Sequence, residues 1–129
     1  YKCYNYLVKF TEREKQILKN FHGHLGPYVL LGYKIGQLAV KRLKAKHKKL
    51  KTEYIGPAKT PYTCLVDGLQ ITTGCTYGKR NIKIYNKSGE PKIIFKTDKK
   101  KLIIKLRREL NSTKEIYNST IYQLINQGN

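Results

Sequence analysis

Two of the chain's three histidines stand in one short stretch, Phe21-His22-Gly23-His24-Leu25-Gly26-Pro27. A second stretch supplies two of its three cysteines and a carboxylate: Cys64-Leu65-Val66-Asp67-Gly68-Leu69-Gln70, then Thr73-Gly74-Cys75-Thr76-Tyr77-Gly78-Lys79. Imidazole, thiolate and carboxylate are the usual ligands of a transition metal, zinc above all. The same groups can serve in catalysis, with Cys75 or Cys64 attacking, His22 or His24 as acid/base, and Asp67 a further catalytic candidate. Each also has a structural reading. His22 can cap the last carbonyls of a helix, His24 can bond the turn, and Cys64 and Cys75 can be small buried hydrophobes.

Spacing limits how these donors combine. If one helix runs between the cysteines, Cys64 and Cys75 lie about three turns, or ~16 Å, apart along its axis. A single tetrahedral metal with bonds of ~2.3 Å cannot take both. Four donors, His22, His24, Cys64 and Cys75, are therefore candidates, though not all for one ion. Asp67 follows Cys64 by about one turn and faces the same way. The first turn after Gly26 offers free N–H groups to an anion, with or without a metal.

The elements that must position these residues are readable around them. Tyr4, Tyr6, Val8 and Phe10 alternate, as in an edge strand or an ordered arm. Thr11-x-x-Glu14 is a capping box that starts a helix with Ile17, Leu18 and Phe21 as its apolar stripe, and Gly23 ends it. Pro27 opens a second helix, with Leu31, Ile35, Leu38, Ala39 and Leu43 inward and a basic tail out to Lys49. Gly32 and Gly36 share a face and imply close approach of another backbone, either across a dimer or inside the domain. Residues 51–55 form a short strand, and Thr63 caps a third helix over 64–73 ended by Gly74. Asn81–Asn86 and Lys92–Thr97 read as a hairpin. Asp98 then caps a helix with Leu102, Ile103, Leu106 and Leu110, and Ser112-x-x-Glu115 caps a last one with Ile116, Thr120, Ile121 and Leu124. The result is one α+β domain, a helix pair packed on a small mixed sheet with C-terminal helices.

Composition bounds the rest. The length of 129 residues suits one domain with a real core. Three cysteines make no disulfide framework, and no apolar run nears the ~20 residues of a membrane span, so a reducing cytoplasm is expected. The Asn-x-Ser/Thr triplets at Asn86, Asn111 and Asn118 are then accidents of an Asn-rich chain. The net charge of +19, from 27 basic and 8 acidic residues, implies attraction to polyanions. Most of the cations are Lys, a point charge, rather than Arg, the bidentate reader of phosphates and bases. An acidic protein or an anionic small molecule is therefore favoured over nucleic acid as partner. A heat-adapted surface is the plain alternative, although such surfaces usually balance Lys with Glu.

Phe21-His22-Gly23-His24-Leu25-x-Pro27, with Gly32-Tyr33-Lys34-x-Gly36, resembles the N-terminal motif of the FmdE family, named for a component of formylmethanofuran dehydrogenase. Cys64-x-Val66-Asp67-Gly68-x-Gln70 and Thr73-Gly74-Cys75-Thr76-x-Gly78-Lys79-x-Asn81 resemble its second block, in the same order. The resemblance implies an α+β fold and a pocket of His22, His24, Cys64, Asp67 and Cys75. It implies an accessory or metal-binding role in one-carbon metabolism of the methanogenic, archaeal kind, and pairing into a homodimer. It implies no pterin, molybdenum or tungsten here, since that chemistry belongs to other components of the enzyme. Two departures stand out: Gly26 replaces the family's usual Cys, and no cysteine-rich zinc module follows the domain. The competing functions are a stand-alone Cys/His-dependent enzyme and a Lys-rich, non-specific nucleic-acid-binding module.

Overall fold

The computed structural model describes residues 2–5, 10–106 and 120–127. In chain order the elements are β1 (Lys2–Asn5), α1 (Glu12–His22), α2 (Pro27–Leu43), β2 (Lys51–Gly56), α3 (Cys64–Thr73), β3 (Ile82–Asn86), β4 (Lys92–Lys96), β5 (Lys100–Leu106) and β6 (Thr120–Gln127). The strands form one mixed sheet in the order β1-β6-β5-β4-β2-β3, parallel between β2 and β3 and antiparallel elsewhere. The class is α+β, as expected; β1, with Tyr4, is an edge strand, Phe10 lies outside it, and Tyr6 and Val8 of the expected alternation lie outside the described residues.

Helix starts and stops follow local chemistry. The Thr11 hydroxyl accepts from the Glu14 N–H, and the Glu14 carboxylate accepts from the Thr11 N–H, so the capping box of α1 is complete. Gly23, left-handed at φ 101°, closes α1 and sends its own N–H to Lys19 O. Of the stripe expected on α1, Leu18 is buried, whereas Ile17 and Phe21 stand in solvent. Pro27 sits in the first turn of α2, whose Tyr28, Val29, Leu31, Ile35 and Ala39 are all but inaccessible. A helix buried on so many sides is the central beam of the domain, lying between α3 and the sheet.

The glycine face of α2 is internal. A Cβ on Gly32 would stand 2.1 Å from the Leu65 carbonyl oxygen, and one on Gly68 would stand 2.3 Å from Val29 O and Tyr33 N. The close approach inferred from sequence is thus to α3 of the same chain. Gly32 meets Leu65 and Gly36 meets Thr72, so the two helices run parallel with their N-termini at one end.

The sheet buries one face by strict alternation. Thr52 and Tyr54 on β2, Ile93 and Phe95 on β4, and Leu102, Ile104 and Leu106 on β5 point into the core.

Four sequence expectations are corrected. α2 ends at Leu43, with Lys44 left-handed at φ 53°, because the chain must turn back to bury Leu50 and enter β2. The basic segment beyond it is a loop with a single 3-10 turn at His47–Lys49. β3 and β4 exist but are not a hairpin, since β2 lies between them and pairs with both. The expected helix after Asp98 is strand β5, paired with β4 through a tight turn in which the Thr97 hydroxyl accepts from the N–H groups of Lys99 and Lys100. Leu102, Ile103 and Leu106 fit a helical stripe, but the period-two burial of Leu102, Ile104 and Leu106 and the β-branched Ile103-Ile104 pair fit a strand better. Finally, residues 120–127 of the expected last helix are strand β6, and its capping box at 112–115 lies outside the described residues.

Candidate functional site

His22 is the last residue of α1, and the left-handed Gly23 immediately reverses the chain. The reversal brings the His24 ring back beside that of His22, with centroids 4.8 Å apart and planes tilted by 39°. Gly26 then holds an extended conformation at φ −112° as the N-cap of α2. A Cβ there would stand 3.3 Å from His24 Nε2.

Asp67 comes to this corner from α3. The contact of Gly68 with the α2 backbone sets how closely α3 docks, and the preceding residue reaches His22. The His22 Nδ1 to Asp67 Oδ2 distance is 2.6 Å, a short charge-assisted bond. The His22 side chain is only 10 % exposed, and its Nε2 is buried with no hydrogen-bond partner in the protein. A carboxylate on Nδ1 fixes the tautomer, so the Nε2 lone pair is free to accept a proton or a metal. Buried polar atoms normally have partners; among the described residues only Thr52 Oγ1, inside the core, shares this state, and His22 Nε2 is the one that can ligate a metal.

Cys64, one turn before Asp67, is half-buried. Burial pushes its thiol pKa up, and the Asp67 charge adds to the effect. His22, His24, Asp67 and Cys64 thus collect where α1 ends and α2 and α3 begin. Among the described residues, however, no three His, Cys, Asp or Glu side chains stand close enough together to hold a metal ion. The donor types suit zinc, and the orphaned Nε2 suits a ligand, but the set is open.

Cys75 is elsewhere. It is fully buried at the far end of α3, and its thiol donates to Leu50 O at 3.2 Å. Its N–H donates to the Thr73 hydroxyl, which itself donates to Leu69 O at 2.6 Å. Asn81 bonds Thr76 N with its oxygen and His47 O with its amide nitrogen. The motif from Thr73 to Asn81 therefore fastens the end of α3 to the loop that enters β2.

One feature escaped the sequence reading. A cleft of about 720 Å³ opens between the loop after β2 and the loop after β3, lined by Lys59, Tyr62, Asn86, Lys87, Pro91 and Leu106 among others. It lies at the carboxyl ends of the parallel pair, the customary position for a ligand in such sheets. The Tyr62 ring also packs edge-on against Tyr28 of α2, at 5.4 Å, joining the cleft to the end of the molecule that carries His22. Gly56-Pro57 and Asn86-Lys87-Ser88-Gly89 were legible as turns, but only the parallel pairing puts them side by side.

No helix among the described residues is long and apolar enough to cross a membrane. A relative from Archaeoglobus fulgidus, named a probable S-adenosyl-L-methionine-binding protein, is 35 % identical over 66 residues. That match takes in 50 % of this chain and 18 % of the relative, so the chain spans under a fifth of that protein. The family model described as "FmdE, Molybdenum formylmethanofuran dehydrogenase operon" matches residues 21–126. The match begins one residue before His22 and takes in Asp67, Cys64 and the fastening around Cys75; the chain belongs to the FmdE family.

Proposed function

We propose that this chain is an accessory, metal-binding domain of formylmethanofuran-linked one-carbon metabolism, with His22 as its working residue. The observation that carries this reading is the His22 ring itself, bound at Nδ1 by Asp67 and buried, unpartnered, at Nε2. Zinc-bound histidines are commonly held in this way by a carboxylate. His22 and His24 supply two imidazole donors, Cys64 offers a thiol within reach of the Asp67 charge, and Asp67 orients rather than ligates. A site of this kind is completed by an incoming ligand or partner. When bound, zinc would supply a Lewis acid to that ligand. Cys75 takes no part, being committed to Leu50.

Catalysis by a free Cys64 thiolate is the weaker reading, because burial and Asp67 both favour the neutral thiol. The test is a zinc titration against a chromophoric chelator at neutral pH. His22→Ala should abolish tight binding, and Asp67→Asn should weaken it by ~10- to 100-fold. Cys75→Ser should leave it intact. Zinc binding that survives His22→Ala would sink the proposal. S-adenosylmethionine belongs in the same titration, since the Archaeoglobus relative carries it in its name.

A further inference from the structure

The sheet face turned away from the helices carries an unusual pattern. Pairing registers place Lys83, Glu53, Ile94 and Ile103 in one cross-strand row, and Tyr85, Ile55, Lys92 and Lys105 in the next. A third row is Lys51, Lys96 and Lys101. Within these three rows six lysines meet a single carboxylate, Glu53, which pairs with Lys96 at 3.4 Å.

Three of the direct cross-strand pairs set Lys against Lys: Lys92 with Lys105, Lys96 with Lys101, and Lys51 with Lys96. Like charges directly opposite each other destabilise a sheet. Nothing in the core requires them, because these side chains point outward. The centre of the face is aliphatic, with Ile94 directly opposite Ile103 and Ile55 alongside. A shallow groove of about 190 Å³ runs between Ile55, Lys92, Lys105 and the turn at Lys87, Ser88 and Glu90, three lysines against one carboxylate.

We propose that this face docks an acidic segment of a partner protein, one that alternates carboxylates with aliphatic side chains. Carboxylates would relieve the Lys–Lys pairs, and aliphatic groups would cover Ile55, Ile94 and Ile103. An apolar centre within a charged rim is the usual anatomy of a protein interface. No Arg stands in these rows, whose aromatic positions are Tyr85 and, by register opposite Lys105, Tyr122; without a bidentate guanidinium the face is poorly equipped to read bases. A second copy of this strongly basic chain would oppose lysine with lysine.

The test uses fluorescence anisotropy at physiological salt with three labelled probes of equal charge: a short peptide alternating Glu and Val, one alternating Glu and Ser, and a single-stranded oligonucleotide. The Glu/Val peptide should bind about tenfold more tightly than either other probe. Lys92→Glu and Lys105→Glu should each weaken that binding by about tenfold. The same single changes should raise the melting temperature, since each turns a repulsive pair into an attractive one, which rules out loss of fold as the cause. Lys41→Glu and Lys44→Glu, on the helical side, should leave the binding unchanged. Absence of binding, equal binding of the two peptides, or equal loss in the helical-side variants would overturn the proposal. So would tighter binding of the oligonucleotide, or a dimer in sedimentation that Lys105→Glu dissociates.

Discussion

His22 shows how much one residue can say when its surroundings are known. Sequence leaves it a helix cap or a ligand; the structure adds a 2.6 Å bond to Asp67 and a buried Nε2 without a partner in the protein. Gly26 is the second informative position. Its φ of −112° is open to any residue, so Gly26→Cys does not strain the turn. The new Cβ would meet His24 Nε2 at 3.3 Å, a contact that a small ring shift relieves. This variant should bind zinc at least about tenfold more tightly than the parent at neutral pH, because a thiolate is a strong zinc ligand once deprotonated. Equal affinity in a chelator competition would count against a metal at this corner. Cys75 tests the opposite claim. Cys75→Ala removes a buried contact with Leu50 O and should lower stability by roughly 1 kcal/mol in urea unfolding, without touching zinc affinity.

Among the elements, the α2–α3 pair is the joint on which the domain depends. Gly32→Ala drives a methyl into the Leu65 carbonyl, a backbone atom that cannot swing aside, and should cost about 3 kcal/mol in urea unfolding. Gly36→Leu should unfold the domain rather than release a monomer, because Thr72 and Thr73 of the same chain occupy the space. At α1 the prediction concerns pH. Burial raises the Glu14 carboxyl, but bonds from Thr11 N–H and the Gln37 amide, the Lys34 charge and the Tyr33 hydroxyl outweigh it, so the net pKa is lowered. A carboxyl lowered in the folded state stabilises fully above its unfolded pKa, and that stabilisation fades as pH falls through the folded value. Because Glu14 is largely solvent-screened, Glu14→Gln should cost only a few tenths of a kcal/mol, roughly the value of an exposed pair, at neutral pH and almost nothing in strong acid, as read by thermal melts across that range. Legibility at this scale follows locality. The capping box, Pro27, Gly23 and Gly74 act within a few residues, and the three helices start where the sequence placed them. β5 misled because Leu102 and Leu106 satisfy both periods, and only the pairing with β4 settles between them. No local signal reports a partner strand brought in from elsewhere.

At the scale of the whole molecule, charge and fold class were legible, whereas the meeting of sites was not. The +19 balance gives a general pull on polyanions, which should weaken steeply as salt rises, without preference among DNA or RNA sequences. Filter binding from low to physiological salt checks this, and a sequence preference that persists at physiological salt would refute it. What composition could not show is the sorting of cations onto an outward sheet face, or the gathering of His22, Asp67 and a cleft at one end. Both follow from the place of β2, which takes partners on its two sides from chain that comes later. That order has a consequence for synthesis. As the chain leaves the ribosome, β2 emerges with neither neighbour available and must wait for about forty further residues before β3 and β4 can join it. At ~5–20 residues per second the interval lasts seconds, far longer than collapse takes. At first the apolar face around Tyr54 has only α1 and α2 for cover, with α3 following inside the interval, and a nascent chain halted before Lys92 should be the form most prone to capture by chaperones.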